Sequence, residues 1–151
     1  MKNDETYKLI SRMNFEIRWG DCDAAGITYY AKYLDWFTDG RIDFLKQVGL
    51  PYHEFFHKAG IVTVALEANC RYKKLLRLEQ PVILETTLFE LSRTRMKFKY
   101  RILTIDEVEA AEGYTTHAFV DFIQGKPLDI RKRHPHLWKK LNGVMAGSIN
   151  L

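Results

Sequence analysis

Trp19-Gly20-Asp21-Cys22-Asp23-Ala24-Ala25-Gly26-Ile27-Thr28-Tyr29-Tyr30 lies between a segment of alternating polarity and a long apolar helix. Two carboxylates and two glycines share this passage. Glycine tolerates the backbone angles that an abrupt strand-to-helix turn demands. The turn sets a carboxylate beside a helix N-terminus, where unpaired amides and the positive end of the helix dipole favour negative charge. Hydrolysis of an acyl ester or thioester needs such a pair. One group attacks the carbonyl carbon or activates water, and donors meet the oxygen that becomes negative.

Upstream, Met13, Phe15, Ile17 and Trp19 alternate with Asn14, Glu16 and Arg18, which predicts a strand with one buried face. Downstream, Tyr30, Tyr33, Leu34, Phe37, Phe44, Leu45 and Val48 recur at helical spacing and predict a helix over 30–48. Gly49 followed by Pro51 is a stop signal. Gly40 inside the helix costs about 1 kcal/mol against Ala and marks a place where another backbone comes close. Asp35, Asp39 and Asp43 form a separate stripe, read as a solvated or dimer-facing face.

Four more strands follow, over 61–74, 81–91, 95–104 and 108–124, with a helical turn at 51–58 and a terminal helix at 134–141. In the last strand Thr116, Ala118, Val120 and Phe122 share a face. Short links between consecutive strands favour an antiparallel sheet. One long apolar helix before that sheet implies an α+β fold, one sheet face wrapping the central helix. At 151 residues the chain is expected to form a single domain, 1–151, with a core of its own. Open sheet edges must be covered or paired, so an edge-to-edge homo-oligomer is expected.

Composition narrows the function. No run is long and apolar enough to span a bilayer, and Met1–Thr6 holds no apolar stretch resembling a signal peptide. Cys22 and Cys70 do not make a disulfide framework, and a reduced, cytoplasmic protein is expected. The net charge of +4 is mild and local: basic residues gather at 71–77, 93–101 and 131–140. Such clusters suit the phosphates of a nucleotide-bearing ligand or a solvated face. No aromatic-basic motif for stacking nucleic-acid bases is present, so no nucleic-acid partner is expected.

The order of elements, and Gly20-Asp21-Cys22-Asp23-Ala24-Ala25-Gly26-Ile27 followed by Tyr30, Tyr33, Trp36 and Phe37, resembles the hotdog-fold acyl-CoA thioesterases. Within them it is most similar to the 4-hydroxybenzoyl-CoA thioesterase group. The resemblance runs from about Phe15 to Gln124 and is specific from Gly20 to Gly49. It implies a homodimer, often paired into a homotetramer, with active sites at the dimer interface and acyl-CoA as the small-molecule substrate. It implies that Asp23 is the catalytic acid residue, that the Tyr30 backbone N–H meets the thioester oxygen, and that Gly26 lets the chain approach closely. Basic residues that meet CoA phosphates in the family map onto Arg93 and Arg95. Many aliphatic acyl-CoA relatives carry a histidine where this chain has Ala31, which leans toward an aromatic acyl group. The group's aspartate near the substrate's ring hydroxyl is replaced by Thr38, which leaves room for a differently hydroxylated benzoyl group.

Asp23 is thus the expected catalytic residue, since an aspartate is ionised at neutral pH. It either attacks the thioester carbon to give a mixed anhydride or takes a proton from water. Capping or turn formation is its plain alternative. Asp21 is expected to hold the loop through backbone N–H groups. Two carboxylates alone are a poor metal cage, so no metal is expected, and no cofactor beyond the CoA of the substrate. Cys22 between two aspartates is held protonated and is a weak nucleophile candidate. No Gly-x-Ser-x-Gly elbow exists, and His53, His57, His117, His134 and His136 lie outside the loop. Thr63 and Glu67 are candidates to reach the site from a partner chain, or plain sheet-face residues. Arg93 and Arg95 either hold phosphates or blunt a strand edge. The expected function is hydrolysis of a hydroxybenzoyl-type acyl-CoA. A short-chain aliphatic thioesterase and a non-catalytic acyl-CoA-binding protein are the rivals.

Overall fold

The computed structural model describes residues 8–147, so the Met1–Thr6 reading lies outside the described residues. Strand β1 (Ser11–Glu16) precedes helix α1 (Lys32–Gln47), then β2 (Ile61–Tyr72), β3 (Pro81–Leu91), β4 (Arg95–Thr104) and β5 (Glu109–Asp121). Short helices α2 (Ile130–Arg133) and α3 (Pro135–Met145) close the described chain. The strands form one antiparallel sheet in the order β1-β3-β4-β5-β2. The expected α+β class with an antiparallel sheet is what the chain adopts.

α1 packs on one sheet face because its apolar stripe meets theirs. Tyr33, Trp36, Phe37, Phe44 and Leu45 are buried with Leu84 and Leu88 of β3, Phe98 and Tyr100 of β4 and Phe119 of β5. Phe37 stacks on Tyr100 with ring centroids 4.3 Å apart and planes 6° from parallel. Burying one such ring contributes roughly 1.5–3 kcal/mol. Two glycines set the helix-to-sheet distance. A Cβ on Gly113 of β5 would lie 2.1 Å from the Asn69 carbonyl oxygen and 2.7 Å from the Phe37 ring. A Cβ on Gly40 of α1 would lie 2.5 Å from Thr86 Oγ1 and 2.7 Å from Leu84. What comes close to Gly40 is therefore a pair of side chains from β3, not a second backbone.

Three expectations on local structure need correction. Trp19 does not continue the buried face of β1: the chain turns into a 3₁₀ segment at Trp19–Asp21, and Trp19 is 79% exposed. In β5 the core-facing residues are Thr115, His117 and Phe119, while Thr116, Ala118 and Val120 point the other way and Phe122 lies past the strand end. Both parities of that strand carry small or mixed residues, so its own alternation is weak. Pairing decides the phase: Phe98 is opposite Thr115 and Met96 is opposite His117, and opposed residues share a face. The third correction is α2, an element that was not expected, whereas the expected helical turn at 51–58 is present as a π-helical segment, His53–His57.

The outer sheet face is laced by charges. Arg101 contacts Glu85 at 3.0 Å and Glu109 at 3.2 Å, and Lys73 contacts Glu109 at 2.9 Å and Glu112 at 3.3 Å. Exposed pairs of this kind contribute at most about 1 kcal/mol each. The edge strand β2 has a bulge between Ala65 and Glu67 and leaves Val64 44% and Leu66 49% exposed. Among the described residues no helix is long and apolar enough to cross a membrane.

Candidate active site

The β1–α1 loop is pinned from both sides. The Asp21 side chain is buried, accepts the Arg18 backbone N–H at 2.8 Å and lies 3.5 Å from Lys32 Nζ. Its carbonyl accepts the Tyr29 amide at 2.8 Å. Thr28 donates both its amide and its hydroxyl to the Leu76 carbonyl, at 2.9 and 3.1 Å. Asp21 is thus the structural carboxylate of the pair.

Asp23 faces outward on this frame. Its amide donates to the Ile27 carbonyl at 2.9 Å, and its carbonyl accepts the Gly26 amide at 3.0 Å. The tight turn needs Gly26 at φ +74°, a region that side chains disfavour. One Asp23 carboxylate oxygen, Oδ1, accepts the Ala25 amide at 2.8 Å. The carboxylate is exposed and oriented by that single bond. Between Asp21 and Asp23, the Cys22 thiol is pushed up in pKa, by desolvation first and then by the two carboxylates, which keeps it a thiol.

Tyr30 occupies the turn ahead of α1, and no backbone carbonyl among the described residues accepts its amide. Ala31, at the N-cap, has no side chain to cap the helix; the Lys32 amide donates to the Tyr29 carbonyl at 2.9 Å and the Leu34 amide to the Ala31 carbonyl at 3.2 Å, which leaves the Tyr30 amide as an unaccepted donor of this turn. The Tyr30 carbonyl accepts the Tyr72 hydroxyl at 2.7 Å. Thr38 is exposed on α1 and bonds back to the Leu34 carbonyl at 3.2 Å.

The remaining predicted residues lie elsewhere. Thr63 is tied to the Tyr52 hydroxyl through its amide at 3.1 Å and its own hydroxyl at 3.3 Å. Glu67 accepts the Tyr114 hydroxyl at 2.6 Å on the outer sheet face. Arg93, in the β3–β4 turn, pairs with Asp129 at 2.7 Å, and Arg95 opens β4 with its amide on Ser92 Oγ. Ser92, Arg93, Thr94, Asp129, Lys132 and Trp138 bound a shallow hollow.

These residues fall into two groups. β1 ends opposite Pro81, so the Asp23 loop sits at the start of β3, and Tyr72 brings the end of β2 to Tyr30. Thr63 pairs with Phe119, whose amide reaches the Thr94 carbonyl beside Arg93. One chain therefore holds Asp23, Gly26 and Tyr30 at one end of the sheet and Thr63, Arg93 and Arg95 at the other. The 11 residues of β3 between them span roughly 35 Å. A cavity of about 680 Å³ opens on the outer face among Lys8, Phe89, Lys99 and Tyr114, and none of the predicted site residues lines it. Among the described residues no group of three or more His, Cys, Asp or Glu could hold a metal ion.

Two features escaped the sequence reading. Tyr72 was assigned only to a strand face, yet its hydroxyl joins β2 to the turn before α1. Arg41 is buried within the apolar stripe of α1 and lies 3.1 Å from His117 Nε2. A charged residue four after Phe37 and three before Phe44, inside that stripe, was the available signal.

Sequence and structure comparisons place the chain among known proteins. The profile of the thioesterase-like superfamily matches residues 17–138. A Bacillus subtilis protein named "putative acyl-CoA thioesterase YneP" is 27% identical over 126 residues, which is 83% of this chain and 91% of that one. A 1,4-dihydroxy-2-naphthoyl-CoA hydrolase of Thermosynechococcus vestitus is 33% identical over 85 residues, 52% of this chain and 58% of that one. The crystal structure of a DHNA-CoA thioesterase from Staphylococcus aureus superimposes with a TM-score of 0.86 at 26% identity, covering 92% of this chain and 93% of that one.

Proposed function

The chain belongs to the thioesterase-like superfamily, and from that premise we propose that it is an acyl-CoA thioesterase acting on a hydroxylated aromatic acyl-CoA. The observation that carries the reading is the Asp23 carboxylate, exposed and oriented by the Ala25 amide in the loop that leads to the unaccepted amide of Tyr30. A thioester carbonyl placed there meets a nucleophile or base on one side and a donor on the other.

Two routes fit this arrangement. In the first, an Asp23 oxygen adds to the carbonyl carbon, the C–S bond breaks, the CoA thiolate takes a proton, and water hydrolyses the resulting anhydride. In the second, Asp23 takes a proton from water as hydroxide adds, the Tyr30 amide holds the tetrahedral oxyanion, and collapse expels the thiolate, which takes up that proton. Both convert thioester and water to free acid and CoA without a metal or cofactor.

Relatives named for naphthoyl-type CoA esters support an aromatic acyl group. Hydroxybenzoyl-type esters, 4-hydroxybenzoyl-CoA included, are the proposed class. The site is proposed to be completed by a second copy. A two-fold pairing of open β2 edges runs antiparallel and carries one copy's Thr63, Arg93 and Arg95 end toward the other's Asp23 loop. A homodimer, further paired to a homotetramer, follows, with CoA phosphates meeting Arg93 and Arg95. Two unpaired cysteines suit a reducing cytoplasm.

The test is thiol release from a panel of benzoyl-, hydroxybenzoyl- and butyryl-CoA by the wild type and Asp23→Asn. Faster turnover of the aromatic esters, lost by about 10²-fold or more in the variant with its melting temperature retained, is expected. Near-normal activity of Asp23→Asn refutes the assignment.

A further inference from the structure

The outer face of the sheet carries a cavity that the Asp23 site does not use. It holds about 680 Å³, the size of a small organic ligand. Thr87, Lys99 and Tyr114 are opposed across β3, β4 and β5 and share the face turned away from α1. The walls are largely apolar, with Ile10 and the rings of Phe89 and Tyr114. The charged groups are Lys8, Arg71, Lys99 and Arg101 against Glu85 and Glu112, so positive charge is in excess. The arginines are answered: Arg101 contacts Glu85 at 3.0 Å and Arg71 contacts Glu112 at 3.8 Å. The lysines are not. Among the described residues neither Lys8 nor Lys99 lies within ion-pair distance of a carboxylate, and both ammoniums sit over the Phe89 ring, 3.9 and 3.3 Å from its centroid.

The local backbone builds this arrangement. The register of β3 on β4 shifts between Leu88 and Glu90, so Phe89 is the extra residue of a bulge. A bulge re-aims side chains, and bulges gather beside functional sites. The Phe89 carbonyl accepts Lys8 Nζ, which fixes that ammonium next to the ring. Burial first, then Lys99, lower the Lys8 pKa, against an opposing pull from Glu90. Lys97 lies over the Tyr114 ring at 4.4 Å and adds a third charge of the same sign, while Glu67 is engaged by the Tyr114 hydroxyl at 2.6 Å. Like charges gathered at an apolar hollow repel one another, and an anion placed between them relieves that repulsion. A sheet surface walled by two rings suits a flat body, since aromatic groups pair by offset stacking and edge contacts.

We propose that this cavity binds a small aromatic carboxylate, whose anionic head meets Lys8 and Lys99 and whose flat apolar body lies against Ile10, Thr87 and Tyr114. The place is distinct from the Asp23 loop. Pro81, where that loop sits, and Phe89 are separated by roughly 26 Å of strand, and the cavity lies on the other face of the sheet from α1. Binding there is independent of the thioesterase reading above.

The experiment is calorimetric titration of the full chain with 2-naphthoate, with its neutral amide and with acetate. 2-Naphthoate is expected to bind at least about tenfold more tightly than either control, because only it supplies both head and body. Lys8→Gln and Lys99→Gln are each expected to weaken it by about tenfold, with melting temperature unchanged, and Asp23→Asn to bind it as the wild type does. Binding at the Asp23 site instead predicts that neither lysine matters, so wild-type affinity in both lysine variants overturns the proposal. Equal affinity for the amide overturns it too, since the ammoniums then contribute nothing. A wild type that binds no 2-naphthoate up to millimolar concentration, as when a second copy covers this face, also overturns it. A wild type that cleaves no thioester removes the reading of the Asp23 site and leaves the outcome of this titration standing.

Discussion

The Tyr72 hydroxyl donates to the Tyr30 carbonyl at 2.7 Å, joining the end of the edge strand to the turn that opens α1. Tyr72 also meets the Tyr33 ring edge-on at 4.8 Å. Burial, then Cys70 and the tyrosines nearby, push the Tyr72 hydroxyl up to about 12, so it remains a donor at any pH an enzyme is assayed. Tyr72→Phe keeps the ring contact and removes the bond. The turn that aims the Tyr30 amide then loses a tether, and kcat is expected to fall about fivefold, near 1 kcal/mol, with little change in melting temperature. Steady-state kinetics beside a thermal melt separate this from a loss of folding.

His117 makes stability depend on acidity. Burial first, then Arg41, push its folded pKa down to about 4, below the unfolded value near 6.5, against an opposing hydrogen bond with the Thr63 backbone; Thr115 and Phe98 also face it. Between those values the unfolded chain binds a proton that the folded chain does not. Stability from this group is therefore complete above about pH 6.5 and declines as pH falls toward 4, by no more than about 1.4 kcal/mol per unit. His134 is also lowered, by burial first, so the variant is needed to isolate one group. Urea unfolding between pH 4.5 and 7 is expected to show a shallower slope for His117→Gln than for the wild type.

Gly113→Ala tests the helix-to-sheet contact. The new Cβ would meet a backbone oxygen at 2.1 Å, which cannot rotate away, and the Phe37 ring at 2.7 Å. Destabilisation of roughly 3 kcal/mol is expected. An unchanged denaturation midpoint would mean that α1 and β2 can shift together at no cost.

The open edge predicts association. Val64 and Leu66 are apolar, exposed and on β2, one of the two edge strands of the sheet. Val64→Lys with Leu66→Lys is expected to weaken self-association by at least about tenfold in sedimentation, and to lower thiol release in parallel at low protein concentration. A double variant that stays associated and active places the subunit contact elsewhere.

Much of this was legible in the sequence because the signals were local. Met96, Phe98, Tyr100 and Ile102 alternate without ambiguity, and β4 is where the pattern put it. The Asp21–Gly26 loop announced itself through residue types whose backbone preferences are strong. The phase of β5 was not legible, because Thr, Ala and His on neighbouring positions carry little hydrophobic contrast and the strand takes its facing from β4. Trp19 was misplaced because a 3₁₀ turn interrupts the alternation one residue earlier than the side chains suggest. The separation of Asp23 from Arg93 by the length of the sheet follows from strand order, which no local window contains. Arg41 needed its partners' coordinates: a basic residue in an apolar stripe reads as a flaw until its contact with the buried His117 is seen.

With Gly40 set against β3 and Gly113 admitting the Phe37 ring, α1 is clasped at two points along its length. A rod held this way can neither slide nor roll, so it serves as the fixed datum against which a ligand is measured. Any tolerance for thioesters of different bulk has to come from the 22–29 segment and the unpaired rim of β2. Swapping residues there, with the clasp left intact, is the economical way to retune what this scaffold accepts.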